Sequence, residues 1–393
     1  MSTPQPPRLV SLDAYRGFIM LAMASSGFAF AQVHKSLKLD TPLWDFLAFQ
    51  FDHVEWQGCA FWDLIQPSFM FMVGVALPFS FASRAARGDT YANMLGHAVR
   101  RAVILVLLGV FLSSAGPPRD YPTTNWIFPN VLAQIGLGYV FVFLLVGRGL
   151  LTQLGAVLVI LAGYTLYFGL YPAPGPDFDW KAVGVPPDWP HYTGWFAHWD
   201  KNGNAAHFFD VWLLNLFPRT EAFAFNSGGY QTLNFVPSMA TMTLGLIAGE
   251  LLIGPLSGVK KFTWLAFGAV VCLAVGLLMG ETVNPIVKRI WTPSWAVYSA
   301  GWTFAILAAF YGVIDVVGWK AWSFPLVVVG MNSIAMYLMS QQLRGWVRKS
   351  MHIHLGKAWF VGGYGPIVET SAILLVLWLI CWWLYRRRIF LRI

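Results

Sequence analysis

Ten runs of about twenty mostly apolar residues succeed one another along this 393-residue chain, and no other feature limits its fold so strongly. They begin near Phe18, Phe61, Val103, Val131, Leu151, Phe235, Trp264, Trp295, Phe324 and Ile367. A bilayer core about 30 Å thick is crossed by about 20 helical residues, because in hydrocarbon each backbone N–H and C=O must find its partner within the same segment. The runs therefore predict an all-α fold, a polytopic membrane bundle of about ten transmembrane helices. Composition agrees: 11% of residues are charged, against roughly 25% in soluble domains. The 20 Trp, 31 Phe and 14 Tyr supply the aromatic belts that sit at helix ends.

An even number of crossings puts both termini on one side, and the basic residues say which. The ends joined by even-to-odd connections, with the two termini, carry 14 of the 26 Lys and Arg, among them Arg8, Arg16, Arg84, Arg87, Arg100, Arg101 and the tail residues Arg386, Arg387, Arg388 and Arg392. Only four acids join them, so the split is +10 against −2. Basic loops stay in the cytoplasm, which predicts that both termini are cytoplasmic. Asp13 and Arg16 precede the first run and no small-residue cleavage site follows it, so it reads as a retained span and not a signal peptide. The net charge of +8 belongs to that membrane face; anionic lipids are its expected partners, and no soluble basic domain exists to bind nucleic acid.

Short connections make the chain a single transmembrane domain over residues 1–393, with two long outer segments, 32–60 and 171–234. The second contains Trp180, Trp189, Trp195, Trp199 and Trp212, too aromatic for disorder, and is expected to fold over the outer face. Cys59, Cys272 and Cys381 are too few and too scattered for a disulfide framework or a zinc site. His191, His198 and His207 have no ligand spacing, so no metal is expected. Gly362-Gly363-Tyr364-Gly365 lacks the strand that a dinucleotide fingerprint needs, and reads as a turn.

Polar side chains in or beside the spans cost about 2.5–3.5 kcal/mol when charged and are functional candidates by default. Asp63, Gln66, Asn130, Gln134, Asn234, Asn332, Gln341 and Gln342 make up that set. His53 lies just before the second span, where an imidazole that titrates near neutrality can act as general base or nucleophile. Asp63, ten residues on, could orient it. The plain alternative is an interfacial loop histidine. Cys59 could carry an acyl group, though nothing in the sequence lowers its pKa. The arginines at 84, 87, 100 and 101 suit phosphate, since a guanidinium binds it bidentately; topology and lipid contact are the simpler explanation.

A family resemblance gives these residues roles. Arg8-Leu-Val-Ser-Leu-Asp13-Ala-Tyr-Arg16-Gly17 resembles the opening of the heparan-α-glucosaminide N-acetyltransferase family and its bacterial relatives, and Phe51-Asp52-His53 followed by Trp56-Gln57-Gly58, Asp63-Leu64 and Pro67 resembles its active-site segment. Gly330-Met331-Asn332-Ser333-Ile334 and Tyr385-Arg386-Arg387-Arg388-Ile389-Phe390 are similar to its last two spans. Two departures stand out: Ser25, Ser26 and Gly27 replace an Asn near the outer end of the first span, and Gln341-Gln342 replaces a His-Glu pair.

The resemblance implies a membrane-embedded acetyltransferase that takes acetyl-CoA from the cytosol and acetylates the amine of a glucosamine-type sugar, or the end of a glycan, on the outer side. His53, Asp63 and Asn332 would be catalytic, with Asn332 donating to the thioester carbonyl. Arg84, Arg87, Arg100, Arg101 and Ser333 would hold CoA, and Asp52, Glu55, Trp56 and Asn234 the sugar. Two other functions stay open on the residues alone, an N-acetylglucosamine transporter and an O-acyltransferase of envelope polysaccharide. So does a homodimer.

Overall fold

Every apolar run becomes helix in the computed structural model, which describes residues 8–115 and 123–391; Arg392 lies outside them. Among the described residues eight helices are long and apolar enough to cross a membrane: Val10–Leu37, Phe61–Ala85, Tyr91–Ala115, Leu150–Leu170, Thr232–Ile253, Gly258–Thr282, Pro293–Val316 and Gly365–Arg386. Ala321–Gly330 and Ser333–Gln342 are long and apolar enough only when taken together, and they meet at 66°. The run at Val131 gives a 13-residue helix, Val131–Phe143. At 1.5 Å per residue that is about 20 Å, short of a hydrocarbon core. The Asn130 carboxamide caps its start, accepting from Ala133 N at 2.9 Å, and positive φ at Gly147 and Gly149 turns the chain after its end.

Lipid is as apolar as leucine, so helices in a membrane associate by close approach of backbones and not by hydrophobic burial. Gly17 on the first helix and Gly330 on the broken one are the contact points. A Cβ at either would stand 1.8 Å from a carbonyl oxygen, that of Leu326 or of Asp13. Thr232–Ile253, Phe61–Ala85 and Pro293–Val316 form the interior, with 72%, 56% and 56% of their apolar windows buried. Gly258–Thr282 at 17% faces outward.

One end of the bundle carries a second apolar core. Trp56, Trp189, Trp199, Val287 and Ile290 are buried together there, joining segments 52–60, 171–234 and 283–292. The one isolated bridge among the described residues, antiparallel Gln57 with Val287, and a bond from Gly58 N to the Ile286 carbonyl at 3.0 Å tie the first segment to the third. The first helix does not run straight into this region. Ser26, Gly27, Phe28 and Ala29 have φ of 49°, 63°, 49° and 58°, a left-handed turn that brings Gly27 against the Phe51 carbonyl. The helices Phe30–Leu37 and Pro42–Gln50 follow it and stand beside His53.

Candidate active site

Phe61–Leu64 is a single helical turn that opens the span and leads into Ile65–Ala85, and it places Asp63 behind the loop that holds His53. The Asp63 carboxylate is buried and takes four donors. Its Oδ2 accepts the backbone N–H of Val54 at 3.2 Å and of Ala60 at 3.1 Å. Its Oδ1 lies 2.7 Å from His53 Nδ1 and 3.2 Å from Lys288 Nζ. Lys288 Nζ is also 3.1 Å from His53 Nδ1. A carboxylate and an ammonium cannot exchange roles: the first accepts, the second donates. The tautomer that satisfies Asp63 therefore has its hydrogen on Nδ1 and a free lone pair on Nε2. With its side chain 38% exposed, against 1% for Asp63 and 5% for Lys288, His53 is the member of the trio that meets solvent.

His53 opens on a cleft of about 470 Å³ lined by His34, Lys35, Lys38, Asp40 and Asp52. His34 is paired with Asp45 at 2.8 Å, and Asp52 Oδ1 accepts the backbone N–H of His53 at 2.8 Å. A second cavity, about 900 Å³, opens near the other end of the first helix, where Arg8, Asp13 and Arg16 line it. Arg84, Arg87, Arg100, Arg101 and Ser333 line it too, so that six arginines face a single acid, Asp13. Asp13 pairs with Arg8 at 2.6 Å and lies 3.7 Å from Arg16, and Arg84 pairs with Asp89 at 3.4 Å. Arg101 donates to Tyr139 Oη at 3.2 Å and stacks over its ring. Apolar side chains such as Met20, Phe69 and Leu132 complete the lining, which suits a ligand with an anionic head and an apolar tail.

The other residues singled out from sequence fall elsewhere. Trp56 is buried, packed edge-on against Trp189 at 5.9 Å, and belongs to the second core rather than to the cleft. Asn234 is buried and donates to the Arg289 carbonyl at 2.8 Å, which fixes the loop carrying Lys288. Glu55 is exposed. Asn332, expected to serve the thioester carbonyl, sits at the bend of the broken helix and binds the C-terminal tail, donating to Ile389 O at 2.9 Å and accepting from Leu391 N at 3.1 Å. It shares no hydrogen bond with the His53 trio among the described residues. Burial, reinforced by Asp63, pushes the Cys59 thiol up to about 12, a poor acyl carrier at neutral pH.

Sequence reasoning missed Lys288, which it counted only as charge on the outer side. A signal existed: Lys288-Arg289 stands just before a helix start, at the end of a span where the positive-inside tendency disfavours bases. Arg289 is structural, its Nη1 donating to Gly228 O at 2.8 Å and its Nη2 to Val54 O at 3.4 Å.

Fold and site together define a polytopic helical membrane protein with a buried Asp–Lys pair presenting a histidine to one face. Residues 8–174 match the family described as heparan-alpha-glucosaminide N-acetyltransferase, catalytic, a span that holds His53, Asp63 and the arginines at 84–101. The chain is 24% identical over 429 positions to the heparan-alpha-glucosaminide N-acetyltransferase of Homo sapiens, covering 99% of this chain and 60% of that one. To the protein of the same name from Mus musculus it is 24% identical over 384 positions, covering 86% and 54%. The family resemblance carried by the motifs is thus borne out, and the chain spans little more than half the length of these curated relatives.

Proposed function

We propose that this protein is a membrane-embedded N-acetyltransferase that moves an acetyl group from acetyl-CoA to the amine of a glucosamine-type sugar. The observation that carries the reading is the His53 trio, with a ring nitrogen held by a carboxylate and the opposite nitrogen facing an open cleft. The similar proteins named above lend the reaction class. The arginine-lined cavity supports CoA as the donor: its phosphates would sit among Arg84, Arg87, Arg100 and Arg101, and its pantetheine arm would follow the apolar lining toward His53.

In this mechanism the sugar amine attacks the thioester carbonyl, the C–N bond forms and the C–S bond breaks. The attacking nitrogen gives its proton to His53 Nε2, which passes it to the departing thiolate. In a variant route Nε2 attacks the thioester first, the C–S bond breaks and CoA leaves as thiolate; the amine then attacks the acyl-imidazole, the Nε2–C bond breaks, and the amine proton passes to the freed Nε2 and on to the thiolate. In both, Asp63 holds the ring, Asp52 at the cleft receives the sugar ammonium before it loses its proton, and the arginine cavity faces the cytoplasm. Purified protein given labelled acetyl-CoA and glucosamine is expected to form N-acetylglucosamine, and His53→Ala to lower the rate by at least about a hundredfold. Unchanged activity in that variant overturns the assignment. Label retained on His53 after acid quench distinguishes the acyl-imidazole route from direct transfer.

A further inference from the structure

We infer that Lys288 is a positioning residue that keeps His53 in its uncharged, proton-accepting form, acting through the carboxylate the two side chains share. This rests on the reading of His53 as the proton acceptor and gives a role to a residue that the reaction, as written above, does not use.

An aspartate alone beside a histidine stabilises the imidazolium, because a neighbouring opposite charge favours the charged form. That suits a group that must donate a proton and hinders one that must take one from an amine. Here the same Asp63 oxygen that meets His53 Nδ1 at 2.7 Å also meets a lysine ammonium at 3.2 Å. The carboxylate is thereby matched before the ring takes a proton. The ammonium also stands 3.1 Å from Nδ1, where a second positive charge is repelled even at an effective dielectric constant of about 20. Asp63 then orients the ring and fixes its tautomer, while Lys288 removes the bias toward protonation that would come with it.

The lysine is held for this purpose. Among the described residues its ammonium donates to Asp63 Oδ1 and stands 3.1 Å from His53 Nδ1, which carries a hydrogen of its own and so accepts nothing from it. Its carbonyl accepts from Trp291 N at 2.9 Å, and its neighbour Val287 donates to Thr292 Oγ1 at 3.0 Å within a buried turn bridged to Gln57. The other charges around the ring are placed differently. Asp52 binds the His53 backbone, Glu55 is exposed, and Arg289 is committed to the Gly228 and Val54 carbonyls. His34, Lys35, Lys38 and Asp40 border the open cleft, where exposure to solvent lets screening weaken them. Lys288 is the cation within hydrogen-bond reach of the ring. When the amine proton reaches Nε2 it makes an imidazolium beside this fixed charge, which favours prompt release of that proton to the CoA thiolate.

The test compares wild type, Lys288→Met and Lys288→Arg as purified full-length protein, from about pH 5 to about pH 9, in two readouts. One is kcat/KM with acetyl-CoA and glucosamine. The other is the rate at which diethyl pyrocarbonate modifies His53, followed on its peptide by mass spectrometry, since that reagent attacks only uncharged imidazole. In Lys288→Met both profiles are expected to move toward higher pH by about one unit, giving roughly a tenfold loss on the acid side and little loss on the alkaline side. Lys288→Arg is expected to restore the wild-type profile. A modification profile of Lys288→Met that overlays wild type, or a loss equal at every pH, overturns the inference. Should the methionine variant not fold, Lys288→Gln, which keeps a donor toward Asp63, is judged by the same criteria. Absence of transferase activity in wild type would sink the functional reading alone, because the modification profiles would still decide the role of Lys288.

Discussion

Replacing Asp63 with asparagine changes one atom and sets two consequences against each other. The side chain keeps its shape, but one oxygen becomes an NH2 donor. If that group takes the Oδ1 position it faces His53 Nδ1 and the Lys288 ammonium, at 2.7 and 3.2 Å in the wild type. If it takes the Oδ2 position it faces the N–H groups of Val54 and Ala60, at 3.2 and 3.1 Å. The second clash cannot be relieved, since backbone N–H groups only donate. In the first, the contact with His53 can, by moving the ring hydrogen from Nδ1 to Nε2, which also lets Nδ1 accept from the Lys288 ammonium 3.1 Å away. That ends the role of Nε2 as acceptor, and kcat/KM is expected to fall by about a hundred- to ten-thousandfold, or about 2.7–5.4 kcal/mol of transition-state stabilisation. Stability suffers separately. The Lys288 ammonium, 5% exposed, loses its counter-charge, and stranding one member of a buried pair costs about 3–5 kcal/mol. The two effects separate in the double variant Asp63→Asn with Lys288→Met, which is expected to regain most of the lost thermal stability and none of the activity. Kinetics and melting curves of the four proteins in one detergent provide the assay. A folded Asp63→Asn protein with activity within threefold of wild type, on the order of 0.6 kcal/mol, would refute the reasoning.

Arg100→Ala is expected to raise the KM for acetyl-CoA about tenfold or more and leave that for glucosamine unchanged, as loss of a hydrogen bond to a charged group is worth about 1.5–3 kcal/mol; equal shifts in both constants would count against a phosphate contact. Asp210, buried in Ala205–Leu214 with its Oδ2 on the Thr232 N–H at 2.9 Å, has its carboxyl pushed up to about 7 by burial. The folded protein thus holds that proton more tightly than the unfolded chain, so stability present at low pH is lost as pH rises from the ordinary carboxylate range to about 7. Asp210→Asn, which retains an acceptor for Thr232, should therefore raise the melting temperature more at about pH 8 than at about pH 5, a difference on the order of 2–3 kcal/mol, and a pH-independent gain would exclude this origin.

The all-helical fold was legible because a bilayer demands long apolar runs, and the pairing of His53 with Asp63 because ten residues of local chain separate them. Lys288 lies 235 residues from His53, and its partner is set by how whole helices assemble. The left-handed turn at Ser26–Ala29 was equally hidden, since Phe28 and Ala29 do not signal positive φ as glycine does. Trp56 and Asn234 carried polar or aromatic character that reads as binding, yet both secure the wall behind the site. The short helix Val131–Phe143 shows the same limit, because its apolar run does not reveal where glycines end it.

The two cavities lie at opposite ends of the first apolar stretch, the arginine-lined one bordered by Arg8 to Met20 and the His53 cleft by residues between Ala31 and Val54. For a two-substrate reaction this separation has a kinetic signature. Neither substrate blocks the other's doorway, so CoA should compete with acetyl-CoA but not with the sugar, and N-acetylglucosamine with the sugar but not with acetyl-CoA. Saturating one side would leave the other product's inhibition in place, and under the proposed reaction the sugar would have no need to enter the compartment that supplies the acetyl group.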